Sequence, residues 1–179
     1  MFRSLGRNVK IWETAKLATP ELISIGNNVI VDDFVLIIGD TEIGDYVHVS
    51  SFCSITGGGK CILEDFSGLS SGCRIVTGTE DFRGGCLTNP TVPAPYRKAE
   101  RSFVHIKKHS IIGVGTIIMP GVTVGEGVAV GANSLVLKDC EPWTIYAGSP
   151  AKPVRSRPSE KILELEAELR AAEAEKNIE

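Results

Sequence analysis

Aliphatic residues recur at every sixth position along most of this chain: Ile25, Val31, Ile37, Ile43, Val49 and Ile55. After a two-residue slip the series resumes at Leu63, Leu69 and Ile75, and again at Ile106, Ile112, Ile118, Val124, Val130 and Val136. A weaker set, Leu5, Ile11 and Leu17, comes before them. Four residues after each aliphatic stands a small or β-branched residue, among them Val29, Thr41, Cys53, Ser67, Cys73, Thr79, Ser110, Thr116, Ser134 and Cys140. Period six fits neither an α-helix nor a plain strand, whose period is two. It fits a short strand and a tight corner, repeated. Three such units close a coil of about 18 residues, and stacked coils bury one continuous aliphatic column. The pattern predicts an all-β fold, a parallel β-helix.

Two segments leave the repeat. Residues 81–103, DFRGGCLTNPTVPAPYRKAERSF, carry three prolines, Asn89, Gly84 and Gly85, and read as an extended loop without secondary structure. Long loops in compact domains are usually functional. Tyr96, Arg97, Lys98 and Arg101 equip this one for a phosphorylated or nucleotide-bearing ligand. At the far end Pro158–Lys176 is rich in helix formers, with Ser159 placed as an N-cap. Ile162, Leu165 and Leu169 fall on one helical face, which predicts a capping or subunit-packing helix. The division is thus 1–157 for the β-helix with its loop and 158–179 for a C-terminal helix.

Bulk properties narrow the class. The chain has 179 residues, 42% of them hydrophobic, and a net charge of −3, which argues against disorder and against a nucleic-acid partner. No apolar run approaches the roughly 20 residues of a membrane span, and the first residues, MFRSLGRNVK, lack the apolar core of a signal peptide. The five cysteines show no CxxC pairing, which fits reduced thiols and a cytoplasmic protein. Cys53, Cys73 and Cys140 fall in the small-residue column and read as packing atoms, Cys61 falls in the slip, and Cys86 in the loop.

The segment IMPGVTVGEGVAVGANSLVLKDCEPWTIYAGSPAKPVRSR, residues 118–157, resembles the acyl-CoA-binding end of the hexapeptide-repeat acyltransferases, through PGVTVG, GANS, KD, WTI and AGSPAK. That resemblance implies a left-handed β-helix and a homotrimer. General crossover rules favour right-handed connections, so the hand rests on the resemblance alone. It further implies acetyl-CoA as co-substrate, in a groove between subunits lined by Gly113, Gly131, Ala132, Ser134 and Gly148. The phosphates of CoA need cations, and Lys138, Lys152, Arg155 and Arg157 supply them. Outward Ile30 and Leu36 fit a buried subunit contact. The middle of the chain, from Tyr46 to Pro93, looks like the nucleotide-sugar N-acyltransferases, which acylate the amino group of a dTDP-linked 4-amino-4,6-dideoxyhexose. Galactoside and maltose acetyltransferases are more distant.

One departure bears on the acceptor. Where the O-acetyltransferase branch has a histidine after the corner threonine, Thr79 is followed by Glu80 and Asp81. A sugar hydroxyl needs a base with a pKa near 6.5 to attack a thioester. An amine needs only to lose its ammonium proton, at a pKa of about 8 beside withdrawing groups. The missing histidine therefore favours an amine, with Glu80 and Asp81 drawing it in as its cation. His48 is the remaining base candidate, with Gly68 one coil later leaving room over its ring, and Ser71 is the hydroxyl expected at the amine or the tetrahedral intermediate. Arg74, Asn89, Tyr96 and Arg97 are the candidates for holding the nucleotide sugar. No Ser-His-Asp triad is readable, so direct attack of the amine is the simplest route. Three alternatives stay open: a sugar O-acetyltransferase using His48 or an acid, a non-catalytic binding paralogue, and a zinc enzyme built on His48, His105 and His109, whose spacing is wrong for one. No metal is expected.

Overall fold

The computed structural model describes residues 1–176. Three parallel sheets form the three sides of a β-helix, six stacked coils followed by the start of a seventh. In the third coil the sides are Thr41–Ile43, His48–Val49 and Ser54–Thr56, and each pairs in parallel with the same side of the coils before and after. The register joins like to like. Ile25, Ile43, Leu63, Ile106 and Val124 pair in turn along the first side, and Ile37, Ile55, Ile75, Ile118 and Val136 along the third. Every one of these is buried. A side chain pointing inward must repeat each time the chain returns to the same side, and that is the origin of the six-residue period. The weaker first set lies in the end coil, which has a neighbour on one side only, so Leu5 stays 53% exposed.

The small-residue column is the second buried layer, with two revisions. Cys61, expected in the slip, points inward at 0% exposure between Thr41 and Val104, and burial pushes its thiol up to about 12. The two extra residues instead make a wider glycine corner at Gly57–Gly58–Gly59, where a Cβ on Gly59 would lie 1.8 Å from the Ser102 carbonyl. Thr79 does not hold the inward position. Thr77 does, fully buried, donating its hydroxyl proton to the Thr56 carbonyl at 2.8 Å and accepting the Gly59 N–H at 3.0 Å. The chain leaves the coil two residues early because Gly78–Thr79 pairs antiparallel with Glu100–Arg101. The expected structureless loop is therefore a tongue closed by a two-stranded neck. It carries a 3-10 turn at Ala94–Tyr96, and its last residue in the expected span, Phe103, already opens the next coil as Phe103–Ile106.

The corners are tight enough to need left-handed backbone. At the first corner Tyr46, Phe66, His109 and Trp143 all have φ between 51° and 60°. Such a conformation costs a side chain about 1–2 kcal/mol, and stacking offsets it. The Tyr46 and Phe66 rings lie 4.9 Å apart at 4°, and Phe66 and His109 lie 5.2 Å apart at 14°. Trp143 spans the intervening Gly127, where a Cβ would lie 2.3 Å from the indole.

The helix Glu160–Lys176 docks on this aromatic ladder, and not through the face expected. The last three positions of the expected helical span lie outside the described residues. Of the expected face, Leu165 and Leu169 remain exposed, while Ile162, one turn before Glu166, is half-buried. The docked face is ionic. Arg170 lies over the Phe66 ring at 4.9 Å and pairs with Asp65 at 2.7 Å, and the Tyr46 hydroxyl bonds Glu173. Glu166, largely buried, meets Lys108 at 2.5 Å and His109 at 2.7 Å. A guanidinium on π faces and carboxylates over Lys and His explain why charge, not leucine, faces the corner. Burial raises the Glu166 carboxyl, but hydrogen bonds from Lys108 and His109 outweigh it and leave the group below the usual range. Its stabilisation is complete above the unfolded carboxyl pKa of about 4.3 and is lost as pH falls through the folded value. Glu166→Gln is expected to cost about 1–3 kcal/mol at neutral pH and to flatten the acid side of a stability profile. Urea unfolding at pH 7 and pH 4 tests this, and equal midpoints for both proteins at both pH values would refute it.

Candidate functional site

The chemistry-bearing residues gather in three places. The first is the second corner of the fourth coil, Gly68-Leu69-Ser70-Ser71-Gly72. Gly68 pairs with His48 below it, and a Cβ on Gly68 would find only the His48 carbonyl, at 4.0 Å, so the ring faces open space as the spacing predicts. His48 Nε2 lies 2.8 Å from an Asp32 carboxylate oxygen. Asp32 was not a sequence candidate. It lies sixteen residues earlier, and only the coil length makes it a neighbour. Ser71 is exposed, and its carbonyl accepts the Gly115 N–H at 3.0 Å.

The second place is the same corner on the later coils. Gly113 is packed so closely that a Cβ would lie 2.6 Å from the Val130 carbonyl and the Ala132 nitrogen. Gly131 and the exposed Ala132 continue the line. Ser134 is buried, and its hydroxyl donates to the Gly131 carbonyl at 2.7 Å and accepts the Gly148 N–H at 3.1 Å. It shapes this surface from beneath. Above lies a cleft of about 460 Å³ lined by Leu137, Lys138, Tyr146, Ala151, Lys152 and Pro153. Lys138 and Lys152 are exposed at its edge, and Arg155 is exposed on the adjoining strand Lys152–Ser156. Arg157, the fourth cation expected for phosphate, is used differently. Its guanidinium donates to the His109 and Gly127 carbonyls, each at 2.9 Å, and clasps the first corner.

The third place is the root of the tongue. Asp81 accepts three backbone N–H bonds, from Arg83 at 2.7 Å, Gly85 at 2.6 Å and Cys86 at 3.0 Å. These bonds, that from Arg83 foremost, hold its carboxyl below the usual range, so it is a fixed anion at neutral pH. Glu80 contrasts with it. One oxygen lies 4.0 Å from the Arg97 guanidinium, and the other is buried with no hydrogen-bond partner among the described residues. A buried carboxylate oxygen without a donor is costly and rare, and it marks a place for a donor to arrive. Arg97 also donates to the Val92 carbonyl at 3.0 Å, and Tyr96 is 64% exposed. Both line a hollow of about 690 Å³ on the tongue with Gly84, Cys86 and Lys98. Asn89 turns the tongue, at φ 77°, by accepting the Thr91 N–H at 3.0 Å. Arg74 lies outward on the third side, 3.4 Å from the Ser54 hydroxyl. Ser71 and the two acids lie at opposite ends of the third side of the coil. The strand Arg74–Val76 separates them, and its three residues alone span about 10 Å at extended rise. His105 and His109 each pair with a carboxylate, Glu64 and Glu166, and no cluster among the described residues is arranged to hold a metal ion.

Residues 23–57 and 103–138 match the family described as bacterial transferase hexapeptide (six repeats). A dTDP-4-amino-4,6-dideoxy-D-glucose acyltransferase from Escherichia coli is 44% identical over 168 residues, which cover 92% of this chain and 87% of that protein. The chain belongs to the hexapeptide-repeat acyltransferases. Among solved structures this acyltransferase superimposes on AntD, an N-acyltransferase from Bacillus cereus, with a TM-score of 0.92 and 40% identity over 97% of this chain and 92% of that one. AntD was solved with dTDP and 3-hydroxybutyryl-CoA. A maltose O-acetyltransferase from Clostridium difficile, at 22% identity and a TM-score of 0.63, shares the fold. The fourth coil and the tongue lie between the two matched parts.

Proposed function

We propose that this acyltransferase moves an acyl group from acyl-CoA to the amino group of a dTDP-linked 4-amino-4,6-dideoxyhexose. The observation that carries the reading is the carboxylate pair at the root of the tongue: a fixed anion, Asp81, beside a buried oxygen of Glu80 that lacks a donor. An ammonium-bearing sugar supplies both the charge and the N–H donors that such a pair accepts. The amine, as free base, attacks the thioester carbonyl carbon. A C–N bond forms and the carbonyl electrons move to oxygen. Their return breaks the C–S bond, expels CoA as thiolate, and the amine's proton passes through Glu80 to the thiolate or water. Because Asp81 is held ionised by its backbone donors, its part is electrostatic, and Glu80 takes the proton.

AntD was also solved with a serine substituted and, ten residues further on, with an aspartate substituted. Ser71 and Asp81 stand ten residues apart here, which supports both as site residues. Since the third side separates them, Ser71 of one copy works with Asp81 and Glu80 of another in a homotrimer, and outward Ile30, Ile111 and Ile117 supply an apolar contact for it. No described helix is long and apolar enough to cross a membrane. Five unpaired thiols fit the reducing cytoplasm.

A thiol-release assay with acetyl-CoA tests the acceptor, using dTDP-4-amino-4,6-dideoxyglucose, 3-amino and GDP-linked relatives, and plain galactosides. Turnover confined to the amino nucleotide sugars is expected. Turnover with hydroxyl sugars alone would overturn the reading. It would favour O-acetylation through the His48–Asp32 pair, a histidine already oriented by a carboxylate. For the donor, Lys138→Ala combined with Lys152→Ala is expected to raise the acyl-CoA KM about tenfold. The same variant should leave acyl-pantetheine, which lacks the nucleotide phosphates, unaffected. An equal loss with both donors would show that the lysines do not meet phosphate.

A further inference from the structure

At the second corner the left-handed positions run Phe34, Phe52, Gly72, Gly115 and Asn133, coil by coil. The Phe34 and Phe52 rings stack 5.1 Å apart at 10°, yet they stay 56% and 58% exposed. At the first corner the corresponding stack continues through Phe66 and His109 and is covered by the helix. At the second it stops, because Gly72 has no side chain. A Cβ on Gly72 would meet nothing nearer than the Gly115 backbone at 3.9 Å, whereas the place over Gly115 is taken by the Asn133 side chain, 2.4 Å from its would-be Cβ. Gly68 opens the same coil on its other flank. The fourth coil thus leaves a notch in the side-chain ladder, with no side chain at Gly68 above His48 or at Gly72 above Phe52, and with Ser71 beside Gly72.

We infer that this notch is the acyl pocket, and that it selects a butyryl-sized chain over acetyl. The inference rests on the acyl-CoA reading above. The notch lies on the same corner as Gly113 and Gly131 of the later coils, and the cleft between Lys138 and Lys152 is two to three coils further on, or about 10–15 Å. A donor with its phosphates at that cleft delivers its thioester to Ser71. Its acyl chain then has one direction left, down over Phe52 toward Phe34. Two phenyl faces favour methylenes and offer a sugar's hydroxyls no partner. Burying two added methylenes there raises the preference for the longer chain about tenfold.

The test is kcat/KM for butyryl-CoA against acetyl-CoA with a saturating amino nucleotide sugar. Wild type is expected to prefer butyryl-CoA about tenfold. Phe52→Ala should abolish the preference while leaving the nucleotide-sugar KM unchanged. Gly68→Val, at a strand position with room for the side chain, should narrow the notch and penalise butyryl-CoA more than acetyl-CoA. If Phe52→Ala instead raises the nucleotide-sugar KM equally with every donor, the ring stacks on the base and the inference is overturned. If it changes subunit assembly and slows both donors alike, the pair is a subunit contact and the inference is overturned as well. Calorimetric binding of the two acyl-CoAs without acceptor separates this inference from the acceptor assignment. Equal affinities sink the acyl pocket. Preferential butyryl-CoA binding with no transfer to any amine sinks only the acceptor.

Discussion

Asp81→Asn is expected to lower kcat/KM for the amino sugar about a hundredfold or more. Its two carboxylate oxygens gather three backbone N–H groups of the tongue, at 2.6 to 3.0 Å. Asparagine keeps one acceptor and points an NH2 group at donors, so the turn after Asp81 loses bonds that the carboxylate supplied. In the proposed reaction it also removes the negative charge offered to an incoming ammonium. Both losses act on the acceptor, so the acyl-CoA KM should stay within about threefold, the size of effect a site the change does not touch would show. Steady-state kinetics with each substrate varied, together with limited proteolysis of the tongue, checks this. Because its backbone donors depress the Asp81 pKa, these bonds are present above the unfolded carboxylate pKa and lost as pH falls through the folded one. A variant that kept wild-type kinetics at pH 7 would remove Asp81 from the site.

Glu80→Gln should act on turnover. A base in the proton path contributes about a hundredfold, and glutamine keeps the shape without the basicity. The acid that it replaces has one buried oxygen with no donor and a distant guanidinium as its nearest cation. Neutralising it removes a half-buried charge whose inner oxygen has no donor among the described residues of the free protein, so the unfolding midpoint is expected not to fall. Lost activity with retained stability is the signature of a residue kept for its ligand. The rate should rise with pH toward the amine pKa in the variant, since only pre-formed free base then reacts. A fall in thermal stability matching the fall in rate would instead make Glu80 a support for Arg97.

The inward column was legible because geometry forces it to repeat, and Ile25 through Val136 fall where the spacing puts them. Thr79 missed its place by two because a repeat cannot announce where the chain leaves it; the neck with Glu100–Arg101 is a long-range pairing. The Asp32 partner of His48 was legible in principle, through the coil length, but not as a local motif. The helix was foreseen and its docking face was not. Its leucines suggested an apolar contact, whereas the surface that receives it is a ladder of rings whose faces attract Arg170. Asp81 and Glu80 were indistinguishable as letters. What separates them is three N–H groups from the tongue on one and none on the other.

The tongue enters beside the point where it leaves. Ser102 donates to the Thr77 carbonyl at 2.7 Å, and Arg74 and Ile75 pair with Ile117 and Ile118 as though nothing lay between. Gly78 and Arg101 of the neck still pack on the Gly57–Gly59 corner, but beyond the neck and the two acids the coils do not sense the length or content of residues 82–99. Such an arrangement is a cassette: its sequence can drift, lengthen or be exchanged between relatives without disturbing the stack. Choice of acceptor can then diverge quickly along a lineage while the donor end, built into the coils themselves, is bound to change slowly.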